Sequence, residues 1–317
     1  MTELNTINTR FRNYKIINNI LNKKSENGCL IHSKEPNKYL YTFNNNIFLI
    51  KRIGINSSDA TIFLTEIIIS KKKYKLVTKI QLFKNLIEYE LLNKTTEYSI
   101  KNKNIHLPLV YSFLKCNSFN KLDTLLPKKI INHKKISSDS YYSIFAELAS
   151  GDIITYTKDI VISSNYLYNA IAQCFISILS CHNAGIFHRD AHAGNFLYHK
   201  IHPGGCIQYK YKNLVFYIEN IGYNWVIWDF GRSTTISFIN NIYIYNDFIA
   251  YLNSFFIDSS SYNLSIITKY HTDFIYNLLD IIETMKDDYL IISELIKKNL
   301  LFLNKPIGKI LMTVNLY

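Results

Sequence analysis

Two polar residues five positions apart could carry the chemistry of this chain. Asp190 and Asn195 lie in the segment 188–195, which reads HRDAHAGN and follows a stretch with helical periodicity. A carboxylate can orient an attacking hydroxyl and accept its proton, and a carboxamide oxygen can bind the magnesium ion that bridges phosphates. The segment therefore indicates phosphoryl transfer, with Asp190 as the base and Asn195 as a metal ligand.

A second carboxylate follows an apolar run, 39 positions (229 − 190) after the first. Asp229 comes directly after Trp225–Trp228 and precedes Phe230 and Gly231. A strand would hold Asp229 at the edge of a pocket, where it could chelate magnesium, and Gly231 would let the chain turn away. A turn residue and a strand-end cap would also explain Asp190 and Asp229, but the two motifs reinforce each other.

The residues 188–195 match the HRDxxxxN motif of protein kinases at its four fixed positions, and 229–231 match its DFG motif. The chain resembles the eukaryotic-like serine/threonine protein kinases, and most closely the divergent kinase-like proteins of large DNA viruses. Those carry stretches similar to 194–201, 203–205 and 221–231. The resemblance spans about Ile53 to Asp258. It implies a bilobal α+β fold, ATP and Mg²⁺ as cofactors, a protein hydroxyl as acceptor, and catalytic roles for His188 and Arg189.

The resemblance extends into the strand-rich first half of the chain. Lys79 matches the lysine that holds the α- and β-phosphates, because it lies in the apolar segment LVTKI. Its glutamate partner is expected at Glu88, with Glu90 as the alternative, although nine positions (88 − 79) is a short separation for the family. Gly54 stands where a glycine-rich loop would cover phosphates, but a plain surface hairpin explains the segment 53–60 equally well.

The segment 145–152, FAELASGD, resembles the hinge that joins the two lobes of a kinase. The resemblance implies that backbone groups of Glu147 and Ala149 contact adenine and that Asp152 reaches the ribose. The hinge sets the predicted domain boundaries: a polar lead-in over 1–35, an ATP-binding N-lobe over 36–149 and a C-lobe over 150–317.

Three features depart from the family pattern. His192 occupies the position two after Asp190, where lysine is usual, and either contacts the γ-phosphate or metal or bonds within the loop. The long gap before Asp229 indicates an inserted β-hairpin over about 198–224, around a turn at 203–205, with strands over 206–212 and 213–220. The segment after Gly231 is short, and Asp247 is expected to begin the helix whose aspartate braces the catalytic loop.

These departures leave three functions open. A serine/threonine protein kinase is favoured, because Lys79, Asp190, Asn195 and Asp229 are all retained. The pattern DxHxGN is also typical of small-molecule kinases that act on aminoglycosides or choline. A kinase-like scaffold that binds nucleotide weakly or not at all is the third possibility, which the single glycine of the 53–60 segment favours.

Periodicity predicts the elements that must position these residues. Strands are expected within Tyr39–Ile80, over 142–148, and around 196–198 and 225–228, because these segments are rich in β-branched and aromatic residues. A helix is expected over 85–94, a loop over 117–140 and mostly helix after 246. An apolar stripe at helical spacing predicts a buried helix that ends before Gly185, formed by Leu167, Ile171, Cys174, Ile178 and Cys181.

Composition narrows the class of protein without naming an activity. A net charge of +12 is spread along the chain, and no nucleic-acid-binding motif accompanies it, so a solvated basic surface explains it best. No apolar run is long enough to span a membrane. Five cysteines without metal-ligand spacing favour a reduced, intracellular protein, in the host cytoplasm or the virion if the protein is viral.

Overall fold

The computed structural model describes residues 7–21, 30–34, 39–43, 46–54, 60–82, 87–116, 141–159, 164–236, 244–257 and 269–317. The chain is a mixed α+β protein and forms two compact units. The strand-rich unit comprises Arg10–Tyr89 and Leu109–Leu148, and the helix-rich unit comprises Met1–Thr9, Glu90–Pro108 and Ala149–Tyr317. The predicted loop over 117–140 and the segment 55–59 lie outside the described residues.

The strand-rich unit is built on one antiparallel sheet. Its elements are most of helix α1 (Ile7–Leu21), strands β1 (Ile31–His32), β2 (Tyr41–Phe43), β3 (Ile47–Ile53), β4 (Ala60–Ile69) and β5 (Lys72–Leu82), the first turn of helix α2 (Ile87–Asn102), and strands β6 (Val110–Cys116) and β7 (Tyr141–Glu147). Its described strands pair in the order β1-β2-β3-β4-β5-β7-β6. The strands predicted between Tyr39 and Ile80 are confirmed.

Helix α1 corrects the prediction of a simple polar lead-in over 1–35. Its residues Ile17 and Leu21 are buried in the core of the strand-rich unit, together with Phe43 and Phe145. Buried apolar positions four apart lie on one face of a helix. Polar residues of α1 such as Arg12, Lys15 and Asn19 are exposed, whereas Arg10 is buried. The composition of residues 1–35 does not indicate this helix, because its apolar face is narrow.

The helix-rich unit contains the remaining elements. They are the rest of α2, β8 (Gly151–Asp152), α3 (Ile153–Asp159), α4 (Ser164–Asn183), β9 (Ile186–Phe187), β10 (Phe196–Lys200), β11 (Cys206–Tyr211), β12 (Leu214–Glu219), β13 (Tyr223–Ile227), β14 (Thr234–Thr235), α5 (Asn246–Ile257), α6 (Lys269–Met285), α7 (Asp288–Lys297) and β15 (Ile310–Asn315). All five residues of the predicted stripe on α4 are buried. Gly185 follows α4 with φ +72°, the left-handed conformation that favours glycine.

The inserted hairpin is present with both of its predicted strands, but its turn is not at 203–205. Strands β11 and β12 pair directly through Tyr211 and Leu214, so the turn consists of Lys212 and Asn213 rather than 203–205. The segment 203–205 instead leads into β11. Strand β15 pairs in parallel with β11 and was not predicted, since the final part of the chain was expected to be helical.

The observed boundaries differ from the predicted lobes in two places. Residues 90–108 belong to the helix-rich unit although they lie inside the predicted N-lobe, and α1 joins the strand-rich unit from Arg10 onward. The last segment of the helix-rich unit begins at Ala149, next to the predicted boundary between 149 and 150. Among the described residues, no helix is long and apolar enough to cross a membrane. Cys116 is disulfide-bonded, which departs from the prediction of a fully reduced protein.

Candidate active site

The loop between β9 and β10 carries Asp190 and Asn195 and is tied to the segment that carries Asp229. The Asn195 amide nitrogen donates a hydrogen bond of 2.8 Å to the backbone oxygen of Asp190. The backbone oxygen of Asn195 accepts a 2.7 Å bond from Trp228, the residue before Asp229. An amide NH₂ group only donates, so this bond orients the side chain and the carboxamide oxygen is the atom suited to a metal ion.

Two side chains of helix α5 hold this loop in place. Asp247 accepts the backbone N–H groups of His188 and Arg189, each at 2.8 Å, and Ser254 accepts that of Ala193 at 2.9 Å. Positions seven apart on a helix share one face, which explains how one helix supports both ends of the loop. The predicted role of Asp247 as the brace of the loop is confirmed.

His188 joins the same loop to the 229–231 segment. Its Nε2 lies 3.0 Å from the backbone oxygen of Trp228, and its ring packs edge-on against Phe230 at a centroid distance of 5.0 Å. Burial lowers the pKa of His188, although the charges of Asp247, Asp229 and Asp190 oppose that shift. The ring is therefore neutral and donates through Nε2, and both candidate catalytic carboxylates lie close enough to influence it electrostatically.

Two residues of the site hold backbone conformations that are uncommon for side chains other than glycine. Arg189 and Asp229 both have φ of +65°. Such left-handed residues persist only where the surroundings hold them, and they concentrate at functional sites. Here the Asp247 carboxylate holds the backbone at Arg189, and the Trp228–Asn195 bond holds the chain entering Asp229.

Sequence reasoning did not identify Arg232, the residue that follows the DFG motif. Its guanidinium Nη1 lies 3.4 Å from Oδ1 of Asp190. No motif predicted this contact, because the two residues are 42 positions apart and arginine at this position has no assigned role in the pattern. The signal was a cation directly after the DFG motif.

In the strand-rich unit, Lys79 and Glu88 form an ion pair. Lys79 lies in β5, Glu88 lies in the first turn of α2, and Nζ is 2.5 Å from Oε1. Lys79 is 22% and Glu88 11% exposed at the side chain, so the pair is largely shielded from water. The structure thus places Glu88 beside the lysine, while Glu90 is exposed.

The residues of the predicted hinge have structural partners of their own. Glu147 uses its carboxylate to bind Arg10 and the backbone N–H of Leu109, and its own backbone N–H donates to Leu109. Asp152 caps helix α3 by accepting the backbone and hydroxyl hydrogens of Thr155, both at 2.8 Å. Ala149 lies in the link between β7 and β8.

Two further predicted residues lie at turns. Gly54 follows β3 with φ +78°, a conformation suited to a turn, and the segment after it lies outside the described residues. Nδ1 of His192 accepts the backbone N–H of Gly194 at 3.2 Å. This bond favours the second of the two interpretations of His192, a hydrogen bond within the loop.

The donor set of the loop suits magnesium in combination with phosphate. Asp229 offers an exposed carboxylate and Asn195 a carboxamide oxygen, both hard oxygen ligands. Over the described ranges, no three His, Cys, Asp or Glu side chains group closely enough to hold a metal ion by themselves. Mg²⁺ commonly binds through one or two carboxylates and completes its shell with phosphate and water, so the residues fit Mg-nucleotide.

No protein-family model matches this chain, and no curated protein is similar to it. Functional assignment therefore depends on the contacts described above.

Proposed function

We propose that the protein is an ATP- and magnesium-dependent kinase that phosphorylates serine or threonine hydroxyls of proteins. The observation that carries the proposal is the linkage between the two motifs. The Asn195–Asp190 and Trp228–Asn195 bonds, with the packing of His188 on Phe230, hold a candidate base and two metal ligands together in the helix-rich unit. A structural turn and a strand cap would not need this arrangement.

Each residue has a defined role in this proposal. Asp190 orients the acceptor hydroxyl and takes its proton, Asn195 and Asp229 bind Mg²⁺, and bound Mg²⁺ supplies charge neutralisation on the phosphates. Lys79, held by Glu88, anchors the α- and β-phosphates. Phosphoryl transfer requires little covalent chemistry from the protein, so positioning and electrostatics provide the rate enhancement.

The proposal is tested by transfer of label from γ-labelled ATP, with Mg²⁺ and a basic protein substrate. We expect Asp190→Ala to lower transfer by roughly 10²- to 10⁴-fold, the usual effect of losing a positioned acid–base group. Asp229→Asn should also lower transfer strongly, because it removes a carboxylate that binds Mg²⁺ on the phosphates. Asp280→Asn changes an exposed carboxylate of α6 and should transfer at the rate of the unaltered chain. Full activity of Asp190→Ala would contradict the assignment.

The same assay decides the class of acceptor. A pool of small hydroxyl compounds replaces the protein substrate, and ATP consumption is followed. Consumption with small molecules alone would favour the small-molecule kinase suggested by the DxHxGN pattern. Nucleotide binding without transfer to any acceptor would favour a kinase-like scaffold.

A further inference from the structure

We propose that Arg232 binds the phosphoryl group during its transfer, an inference that rests on the proposed kinase function. Arg232 contacts Asp190, the candidate base, at 3.4 Å between Nη1 and Oδ1. A cation at this place would lie beside the oxygen that attacks and the phosphorus that is attacked. Guanidinium is suited to phosphate, because its planar fork can donate two parallel hydrogen bonds.

The exposure of the pair indicates that Arg232 can exchange its partner. The Arg232 side chain is 76% exposed and that of Asp190 24% exposed. Ion pairs at such exposure are weak, because water screens both charges. A phosphate carrying several negative charges would therefore compete successfully with Asp190 for the guanidinium, which would leave the carboxylate available to the acceptor hydroxyl.

The backbone beneath Arg232 is fixed even though its side chain is exposed. The preceding Phe230 is buried against His188, and the following Ser233 donates its hydroxyl to the backbone oxygen of His188 at 3.1 Å. Thr234 then pairs with Phe187 between β14 and β9. Anchors on both sides hold the Cα of Arg232 in place relative to the catalytic loop. The side chain therefore needs only to rotate to move from Asp190 to a phosphate.

The reaction needs positive charge beside the transferring phosphoryl group, and Arg232 can supply it. Negative charge spreads over the three peripheral oxygens of the transferring group, and a cation placed there accelerates transfer strongly. The loop HRDAHAGN contains no lysine, and its one arginine, Arg189, has an exposed side chain. His188 is buried with a lowered pKa, and His192 uses Nδ1 to bind Gly194. Arg232 is the cation that the structure records in contact with Asp190.

The bonds that change do not involve Arg232. The bond from the γ-phosphorus to the bridging oxygen breaks, and its electron pair leaves with ADP. The acceptor oxygen forms the new bond to phosphorus, and its proton passes to Asp190. Arg232 donates hydrogen bonds to the peripheral oxygens while these bonds exchange.

The test compares nucleotide binding by the full chain in Mg²⁺, using ADP alone and ADP with aluminium fluoride, an analogue of the transferring phosphoryl group. We expect Arg232→Gln to bind ADP as the unaltered chain does and to bind the analogue complex about 10²-fold more weakly, a part of the 10³–10⁵ that such an arginine contributes to rate. Arg232→Lys should recover part of the loss, because it keeps charge without the fork.

Arg12→Gln is the matched control, since it removes one positive charge from an exposed position of α1. Thermal melting verifies that each variant is folded. If Arg232→Gln binds ADP and the analogue complex each as tightly as the unaltered chain does, this inference alone would be overturned, because the kinase would still function. An unaltered chain that binds neither ligand would overturn the proposed function and this inference with it.

Discussion

The ring of His182 contacts the carboxylate of Asp247, with 3.2 Å between Nε2 and Oδ2. The other ring nitrogen, Nδ1, lies 2.8 Å from Asp288 at the start of α7. Asp247 is the residue that binds the backbone of His188 and Arg189, so His182 connects helices α4, α5 and α7 directly to the brace of the candidate catalytic loop. A charge on His182 therefore bears on both stability and the candidate site.

Stability should fall as pH rises from about 6.5 to about 9. Burial alone would lower the pKa of His182, but the charge of Asp288 and the hydrogen bonds with both carboxylates raise it to about 9. The folded protein then holds a proton that the unfolded chain has released, which stabilises the fold below pH 6.5 and is lost through pH 9. The difference amounts to roughly 3 kcal/mol, which urea unfolding at several pH values can measure.

His182→Gln should remove this pH dependence and lower stability at pH 6. His202→Gln changes an exposed histidine and should retain the pH dependence of the unaltered chain. Identical pH profiles for His182→Gln and the unaltered chain would show that the His182 proton does not stabilise the fold.

Glu88→Gln should impair function, whereas Glu90→Gln should not. Glu88 forms the ion pair with Lys79, and Glu90 is exposed two positions further along the same helix. We expect Glu88→Gln and Lys79→Met each to lower transfer at least tenfold, and the double variant to lose less than the product, because both remove one interaction. Rates with limiting ATP measure these effects, and product-like losses in the double variant would contradict a functional pair.

Arg10→Met should destabilise the strand-rich unit strongly. Nε of Arg10 lies 2.7 Å from Oε2 of Glu147, and the two side chains are only 6% and 4% exposed. Removal of one partner leaves a buried carboxylate uncompensated, which typically costs about 3–5 kcal/mol. Urea unfolding of Arg10→Met beside Arg12→Gln measures the difference. A loss below about 1 kcal/mol would mean that water reaches Glu147.

Ser254→Ala should weaken the brace of the candidate catalytic loop. Its hydroxyl accepts the backbone N–H of Ala193 and donates to the backbone oxygen of Tyr251 at 2.6 Å. An unsatisfied buried N–H costs about 1–3 kcal/mol, and the loop that carries Asn195 should lose order. Hydrogen exchange at Ala193 should accelerate in Ser254→Ala and stay unchanged in Ser293→Ala, a helix serine of α7. Unchanged exchange in both variants would contradict the bracing role.

Local patterns in the sequence predicted the elements well where packing is regular. Strands β2 to β5 have the β-branched and aromatic composition of a sheet, and the apolar stripe of α4 reappears as buried residues. The spacing of Asp190, Asn195 and Asp229 also indicated one chemistry. These signals are short in range, and each is contained within one element or one loop.

Contacts between distant residues were beyond such patterns. Arg232 contacts Asp190, and β15 pairs with β11, because the fold brings these distant segments together. No sequence pattern at one partner indicates the other. The buried role of Glu147 was missed for the same reason, since its partner Arg10 precedes it by 137 positions. Helix α1 escaped detection because only a few of its apolar residues face the core.

The interleaving of the two units along the chain limits how the protein can be divided. A fragment that starts at Ala149 would include the loop 188–195 but lack 90–108, which belong to the same unit. It would lose His106, whose ring nitrogens lie 2.8 Å from the backbone oxygen of Trp225 and 2.6 Å from the hydroxyl of Tyr209. It would also lose Asn104, which binds Ser180 of α4. Neither unit corresponds to one uninterrupted stretch of polypeptide, so a single cut between Leu148 and Ala149 yields two incomplete halves.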